Sequence, residues 1–147
     1  MQIRQISVYL ERRPGSMQKF TFLLGEQNIR CLAVMLADTE RGGVARMVIH
    51  SADFARMIAL LQERGYEFNI SPVLCLRVHL RPFALSEALA RIEKDSIFTQ
   101  YMYPFYQNPE GEMLLVLCPS DAARCVVSLA GASDVELLSQ EALDALA

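Results

Sequence analysis

Ser51-Ala-Asp-Phe-Ala-Arg-Met-Ile-Ala-Leu-Leu61 returns later in the chain as Pro119-Ser-Asp-Ala-Ala-Arg-Cys-Val-Val-Ser-Leu129. Asp53 and Asp121, Ala55 and Ala123, Arg56 and Arg124, and Leu61 and Leu129 are all separated by one constant offset. The same offset carries Met17 onto Leu85, Leu24 onto Ile92 and Ile29 onto Ile97. A period this long, close to half the chain, exceeds the usual solenoid unit and marks two copies of a small domain. The expected division is 1–71 and 72–147. Two similar domains in one chain create a pseudo-symmetric interface, where ligand clefts are favoured.

Domains of this size bury a modest fraction of their surface and lean on one another or on a second chain. The composition agrees, because 52% hydrophobic and 21% charged residues is apolar for two small globules. Extensive domain or subunit contact is therefore expected, with a homodimer as the assembly. A net charge of −3 without a basic block argues against a nucleic-acid partner. No apolar run approaches the ~20 residues that span a bilayer, so no membrane partner is expected. The opening Met1-Gln-Ile-Arg-Gln-Ile-Ser-Val-Tyr-Leu-Glu11 alternates where a signal peptide is continuously apolar. A cytoplasmic location follows as the expectation. Cys31, Cys75, Cys118 and Cys125 lack paired spacing, which reads as buried reduced thiols, with no metal site.

Ile6, Val8 and Leu10 alternate with Ser7 and Tyr9 as in a half-buried strand, and Leu76, Val78 and Leu80 repeat this. Each strand leads through a Pro-containing loop into a helix, near 16–27 and 85–94. Strands near 29–37 and 97–106 turn back through Asp38-Thr-Glu-Arg-Gly-Gly43 and Gln107-Asn-Pro-Glu-Gly-Glu112 into strands near 44–49 and 113–118. The duplicated helices follow, with Ser51 and Ser120 as expected N-caps. Last strands fall near 66–70 and 134–139. The order βαββαβ, twice, is an α+β chain of two tandem ferredoxin-like domains. Ile70-Ser-Pro-Val-Leu74 joins them without a flexible linker.

This fold hosts many functions and names none. His50 and His79 are the only histidines, and the chain has no Gly-rich phosphate loop, no paired cysteines and no serine in an obvious nucleophile context. No catalytic residue and no cofactor are expected. The loop Glu11-Arg-Arg-Pro-Gly-Ser16 stands apart. Gly15 can take backbone angles closed to other residues, and the first amides of the following helix suit a carboxylate. The same residues also read as a tight turn capped by Ser16. In Ile97-Phe-Thr-Gln-Tyr-Met-Tyr-Pro-Phe-Tyr106, alternation puts Tyr101, Tyr103 and Phe105 on one face, either as core and subunit interface or as one wall of a pocket. Pro104 places this strand at an edge or at a bulge.

The strand, then Arg13-Pro14-Gly15-Ser16-Met17, the helix, Asn28-Ile29-Arg30-Cys31-Leu32 and Ala37-Asp38-Thr39 together resemble an ACT domain, the amino-acid-sensing module of metabolic enzymes. The second half, with Tyr101-Met102-Tyr103, resembles its partner in bacterial proteins made of two tandem ACT domains. The resemblance covers nearly the whole chain. It implies a pseudo-dimer with a continuous antiparallel sheet and an amino acid bound between the first loop of one domain and the second strand of the other. Arg13, Pro14, Gly15, Ser16 and Met17 would form the loop wall, facing Ile97 and Phe98. The pseudo-symmetric site would pair residues 81–84 with Asn28, Ile29 and Arg30.

The two loops differ in sequence. Six residues separate Leu10 from Met17, four separate Leu80 from Leu85, and Phe83 stands where the first loop has Gly15. One competent site per chain at most is expected, and loss of binding altogether remains open. The leading expectation is a non-enzymatic regulatory protein that binds a small amino acid. The alternatives are an interaction module, such as a regulatory subunit of a biosynthetic enzyme with a degenerate site, and a small enzyme on this scaffold.

Overall fold

Strand β1 (Ile3–Leu10) turns Ile6, Val8 and Leu10 toward a helix layer, and helix α1 (Ser16–Glu26) answers with Phe20, Leu23 and Leu24 at helical spacing. The computed structural model describes residues 1–147. After α1 come β2 (Cys31–Thr39), β3 (Gly42–Ile49), α2 (Ser51–Glu63) and a 13-residue strand β4 (Glu67–His79). The second copy follows as α3 (Ala84–Lys94), β5 (Thr99–Gln107), β6 (Glu112–Pro119), α4 (Ala122–Leu129) and β7 (Val135–Leu138). A short helix α5 (Gln140–Asp144) ends the chain and was not anticipated. The join at 70–74, expected to lack a flexible linker, lies inside β4, so that the last strand of one copy runs on as the first strand of the next.

The chain divides into two compact units. The first is Arg4–Ser71 with Gln140–Ala147, and the second is Met1–Ile3 with Pro72–Ser139. Each chain end thus belongs with the other half than the division 1–71 and 72–147 assigns it. In the first unit the strand order is β2-β3-β1-β4. The core beside this sheet joins Ile6, Val8, Phe20, Met47, Met57 and Leu61. In the second unit β7, β4, β6 and β5 follow the same pattern in antiparallel pairs, around Leu74, Leu76, Ile92, Leu115 and Cys125. Both are ferredoxin-like α+β units. Strand β5 is at the end of its sheet and its register also shifts between Pro104 and Tyr106, so that proline sits both at an edge and at a bulge.

The constant offset seen in the sequence is a structural period too. Asn28 and Ser96 both take left-handed backbone angles after their helices, with φ of 50° and 62°. The amide of Ile29 then reaches Leu24 O at 3.1 Å, and that of Ile97 reaches Ile92 O at 3.2 Å, the same C-terminal closure twice. Arg56 donates to the carbonyls of Gln27 and Asn28, and Arg124 donates to that of Asp95. The duplicated arginines therefore satisfy the orphan carbonyls at the ends of α1 and α3. The duplicated aspartates diverge slightly. Asp121 is the N-cap of α4, accepting from the Arg124 amide at 3.0 Å, whereas α2 is capped by His50, whose Nδ1 accepts from the Ala52 amide at 3.1 Å. Ser51 and Ser120, expected as caps, do other work: Ser51 bonds Asp144, and Ser120 Oγ accepts from the Phe98 amide.

Asp53 is buried and accepts from the Arg30 amide, from Arg30 Nε and from Arg56 Nη2, each at 2.9 Å. The Arg30 bonds in particular hold its carboxyl far below the usual carboxylate range. A depressed pKa stabilises the fold at pH values above about 4 and is lost as acid titrates the chain below that. Asp53→Asn is expected to cost about 2 kcal/mol at pH 7. Denaturation across pH should show the gap between wild type and variant closing from about pH 4 downward; a gap of constant size would contradict the linkage. All four cysteines are free, and three are fully buried. Burial pushes the thiols of Cys31 and Cys125 up to about 11 and that of Cys75 up to about 12, which removes any nucleophilic character at neutral pH.

Candidate functional site

The first loop, residues 11–15, owes its shape to three main-chain hydrogen bonds. The Arg13 amide reaches Glu11 O at 3.0 Å, the Ser16 amide reaches Arg13 O at 3.3 Å, and the Lys19 amide reaches Gly15 O at 2.9 Å. Gly15 is the N-cap of α1 with φ of +92°, a conformation that only glycine adopts without strain. Ser16 is the first helical residue and does not cap. Its hydroxyl donates to Glu11 O at 2.6 Å, closing the loop on itself. The amides of Met17 and Gln18 are therefore left without a partner in the chain, and no acidic side chain occupies the first turn of α1.

These amides open on a cavity of about 400 Å³ lined by Glu11, Arg13, Gly15, Met17, Asp38 and Gly43. Its far wall is the β2–β3 turn, which packs closely against the loop: a Cβ on Gly42 would sit 3.0 Å from Leu10 O, and Gly42 itself holds φ of +120°. Arg12 ties loop to turn by donating Nη2 to Asp38 Oδ2 at 2.7 Å, with both side chains exposed. The structure thus brings Arg13, Pro14, Gly15, Ser16 and Met17 together with Glu11 of the same loop, and adds Asp38 and Gly43, which sequence reasoning did not place at the site. The signal was present, because a glycine pair in a hairpin turn marks a close backbone approach.

Asn28, Ile29 and Arg30 lie at the opposite end of α1 from this loop, and their groups are engaged. Ile29 is in the core, the Asn28 carbonyl accepts from Arg56, and the amide and carbonyl of Arg30 pair with Asp53 and with the His50 amide. In the second unit the Ile97 side chain is buried. Phe98 exposes its ring, while its amide and carbonyl are both taken by Ser120. Tyr103 is buried opposite Val116.

The second loop is not shorter than the first. Its hydrogen bonds run from Arg81 to His79 O, from Ala84 to Arg81 O and from Glu87 to Phe83 O, each one a full repeat after its counterpart. Leu10 therefore corresponds to Val78, not to Leu80, and the expected difference in length came from matching the wrong leucines. The difference in residue type is real. Phe83 takes φ of +70° at the Gly15 position and is 75% exposed. Left-handed angles cost a residue with a Cβ roughly 1–2 kcal/mol, part of which a glycine returns as chain entropy on unfolding. Phe83→Gly is expected to raise stability by about 0.5–1 kcal/mol, read as a higher urea midpoint; a lower midpoint would mean that the ring makes a contact it needs.

A family model described as "ACT domain pair" matches residues 1–145. The chain belongs to the ACT domain pairs. Among solved structures it is similar to protein BT0572 from Bacteroides thetaiotaomicron, with 27% identity and a TM-score of 0.83, over 98% of this chain and 96% of that one. The regulatory subunit of aspartate kinase from Thermus thermophilus, in its ligand-free form, is similar at 13% identity and a TM-score of 0.62, over 89% and 93% of the two chains. The corresponding subunit from Thermus flavus is similar at 16% identity and a TM-score of 0.57, over 85% and 86%. These two likenesses speak for the fold alone. No curated protein matches the chain. The family is regulatory rather than catalytic in character, and no grouping of His, Cys, Asp and Glu in this ACT pair could hold a metal ion. No helix is long and apolar enough to cross a membrane.

Proposed function

We propose that this ACT domain pair is a non-catalytic cytoplasmic sensor that binds one small amino acid against its first loop. The observation that carries the proposal is the pair of unpartnered amides, Met17 and Gln18, opening on the 400 Å³ cavity beside Gly15. Two adjacent amides at the positive end of a helix accept a carboxylate in the way helix N-termini accept anions. The carboxylates of Glu11 and Asp38 line the same cavity and offer acceptors for the ligand's ammonium. Met17 and the two glycines leave room for a small side chain. Strand β2 ends its sheet and exposes Val34 and Leu36, which supports a homodimer formed along that edge.

A second reading, an interaction module serving a biosynthetic enzyme with a silent ligand site, draws on the same exposed residues. Thermal denaturation in the presence of each of the twenty amino acids separates the two. A ligand at 100 times its dissociation constant adds roughly 2.7 kcal/mol of stability. At least one amino acid is expected to raise the melting temperature; no shift with any of the twenty would remove the sensor and leave the interaction module.

A further inference from the structure

Lys19, in the first turn of α1, and Arg64, at the end of α2, have no carboxylate partner. Both line a groove of about 520 Å³ on the α2 side of the first loop, together with Arg13 and Tyr66. Unpaired surface cations are common and mean little alone. The second copy shows what this place in the fold does when it is filled. Moved on by one repeat, Arg13 becomes Arg81, Lys19 becomes Glu87 and Tyr66 becomes Asp134. The matched loop hydrogen bonds fix the first two equivalences. Tyr66 and Asp134 each stand directly before the last strand segment of their copy, at Glu67 and Val135.

In the second unit Arg81 donates Nε to Asp134 at 2.5 Å and Nη2 to Glu87 at 2.6 Å. A pocket of about 80 Å³ lies beside Glu87 and Asp134. The fold thus seats two carboxylates around one guanidinium at this position, a favourable use of the planar arginine fork. In the first unit both carboxylates are gone. A cation replaces one and a phenol the other, Arg64 adds a further charge, and the space widens. Glu11 pairs with Arg13 at 2.9 Å, but both side chains are 71% exposed, and such a pair is weak. Glu67 is the other acid on the rim. Three cations face two acids in a groove whose duplicate is built around bound carboxylates.

We propose that this groove binds a small dianionic oxyanion, a dicarboxylate or a phosphate group, in the place that Glu87 and Asp134 occupy in the second unit. Arg13 presents its fork to the anion, Lys19 and Arg64 supply charge, and the Tyr66 hydroxyl donates a hydrogen bond. The groove lies against the α2–β4 turn, whereas the amino-acid cavity lies against the β2–β3 turn, and the proposal does not depend on the amino-acid reading.

Calorimetry on the full chain, with inorganic phosphate and with succinate as probes and no amino acid present, tests it. At least one probe is expected to bind one per chain, and Lys19→Glu and Arg64→Ala should each weaken it roughly tenfold or more. Binding of phosphate alone would assign a phosphorylated ligand, and binding of succinate a dicarboxylate. The double variant Lys19→Glu with Tyr66→Asp rebuilds the acids of the second unit and should bind neither probe, although it gives up the ring contact between Phe20 and Tyr66 and should melt lower than Lys19→Glu alone. Failure of both probes at about 10 mM, or unchanged affinity in Lys19→Glu and Arg64→Ala, would overturn the proposal. An amino-acid response that persists in Lys19→Glu keeps that failure distinct from failure of the sensor itself.

Discussion

Leu143→Ala is expected to destabilise the first unit by about 2–5 kcal/mol, the range for truncating a fully buried leucine. Leu143 has no exposed surface although it lies close to the end of the chain. Helix α5 is too short to hold itself together, so its order comes from what it touches. Gln140 Nε2 donates to Ile49 O at 3.2 Å, and Asp144 accepts from the Ser51 amide at 3.0 Å and from the Ser51 hydroxyl. Asp144 thereby satisfies an orphan amide at the start of α2, a role usually filled by a residue next to the helix in sequence. Asp144→Ala should cost about 1 kcal/mol, as the loss of a cap does. Chemical denaturation of both variants checks the pair. If Leu143→Ala cost less than Asp144→Ala, the segment would be appended to the unit instead of packed into it.

Gly15→Val is expected to weaken amino-acid binding by roughly 100-fold while the fold survives. A ligand carboxylate held by two helix amides loses about 1.5–3 kcal/mol for each bond that fails, and about 1.4 kcal/mol is a factor of ten. The reason is conformational as well as steric. A Cβ at Gly15 meets nothing within 4 Å, so the side chain would clash with no part of the protein. It would stand instead in the space the ligand needs, on a residue whose φ of +92° a β-branched side chain resists. Phe83 holds +70° at the equivalent position, which shows that this turn keeps its shape around a bulky residue. Calorimetry on Gly15→Val and Gly15→Ala should show graded loss. Wild-type affinity in the valine variant would remove the loop from the site.

The repeat made most of the fold legible, because helices, caps and turns recur at a fixed offset and periodicity reads each element twice. Strand and helix positions agree closely with those the pattern implied. What failed did so for identifiable reasons. The apparent shortening of the second loop arose from matching Leu10 with Leu80, when Leu80 is exposed beyond its strand and Val78 carries the core position. The caps were misplaced by one position, in opposite directions: Ser120 and Asp121 are adjacent residues of similar N-cap preference, and the aspartate takes the role. His50 fills the role with a ring nitrogen that spacing does not single out. Helix α5 spans five residues, too few for a period to show.

The positive φ at Gly15 was legible in the sequence, since a glycine ahead of a helix is free to take it, whereas residues 13–17 as a loop wall came from the resemblance to ACT domains. Asp38 and Gly43 come from the end of β2 and the start of β3, far from the first loop in sequence, and the glycine pair signals a close backbone approach without naming its partner. The Arg81, Glu87 and Asp134 cluster joins groups far apart in the chain and was passed over among scattered surface carboxylates. Its signal was comparative: the first copy has a lysine where the second has an acid, at a position the offset makes equivalent.

The most direct test of the sensor is the stoichiometry and place of binding for whichever amino acid raises the melting temperature. Calorimetry on wild-type chain, joined to a structure with that amino acid bound, should give no more than one ligand per chain, with its carboxylate on the amides of Met17 and Gln18. Phe83 at the Gly15 position puts a side chain where the first loop has none, and Glu87 sets a carboxylate in the first turn of α3, which opposes a ligand carboxylate there. An amino acid seated only against residues 81–85, or two equivalent sites per chain, would contradict the account.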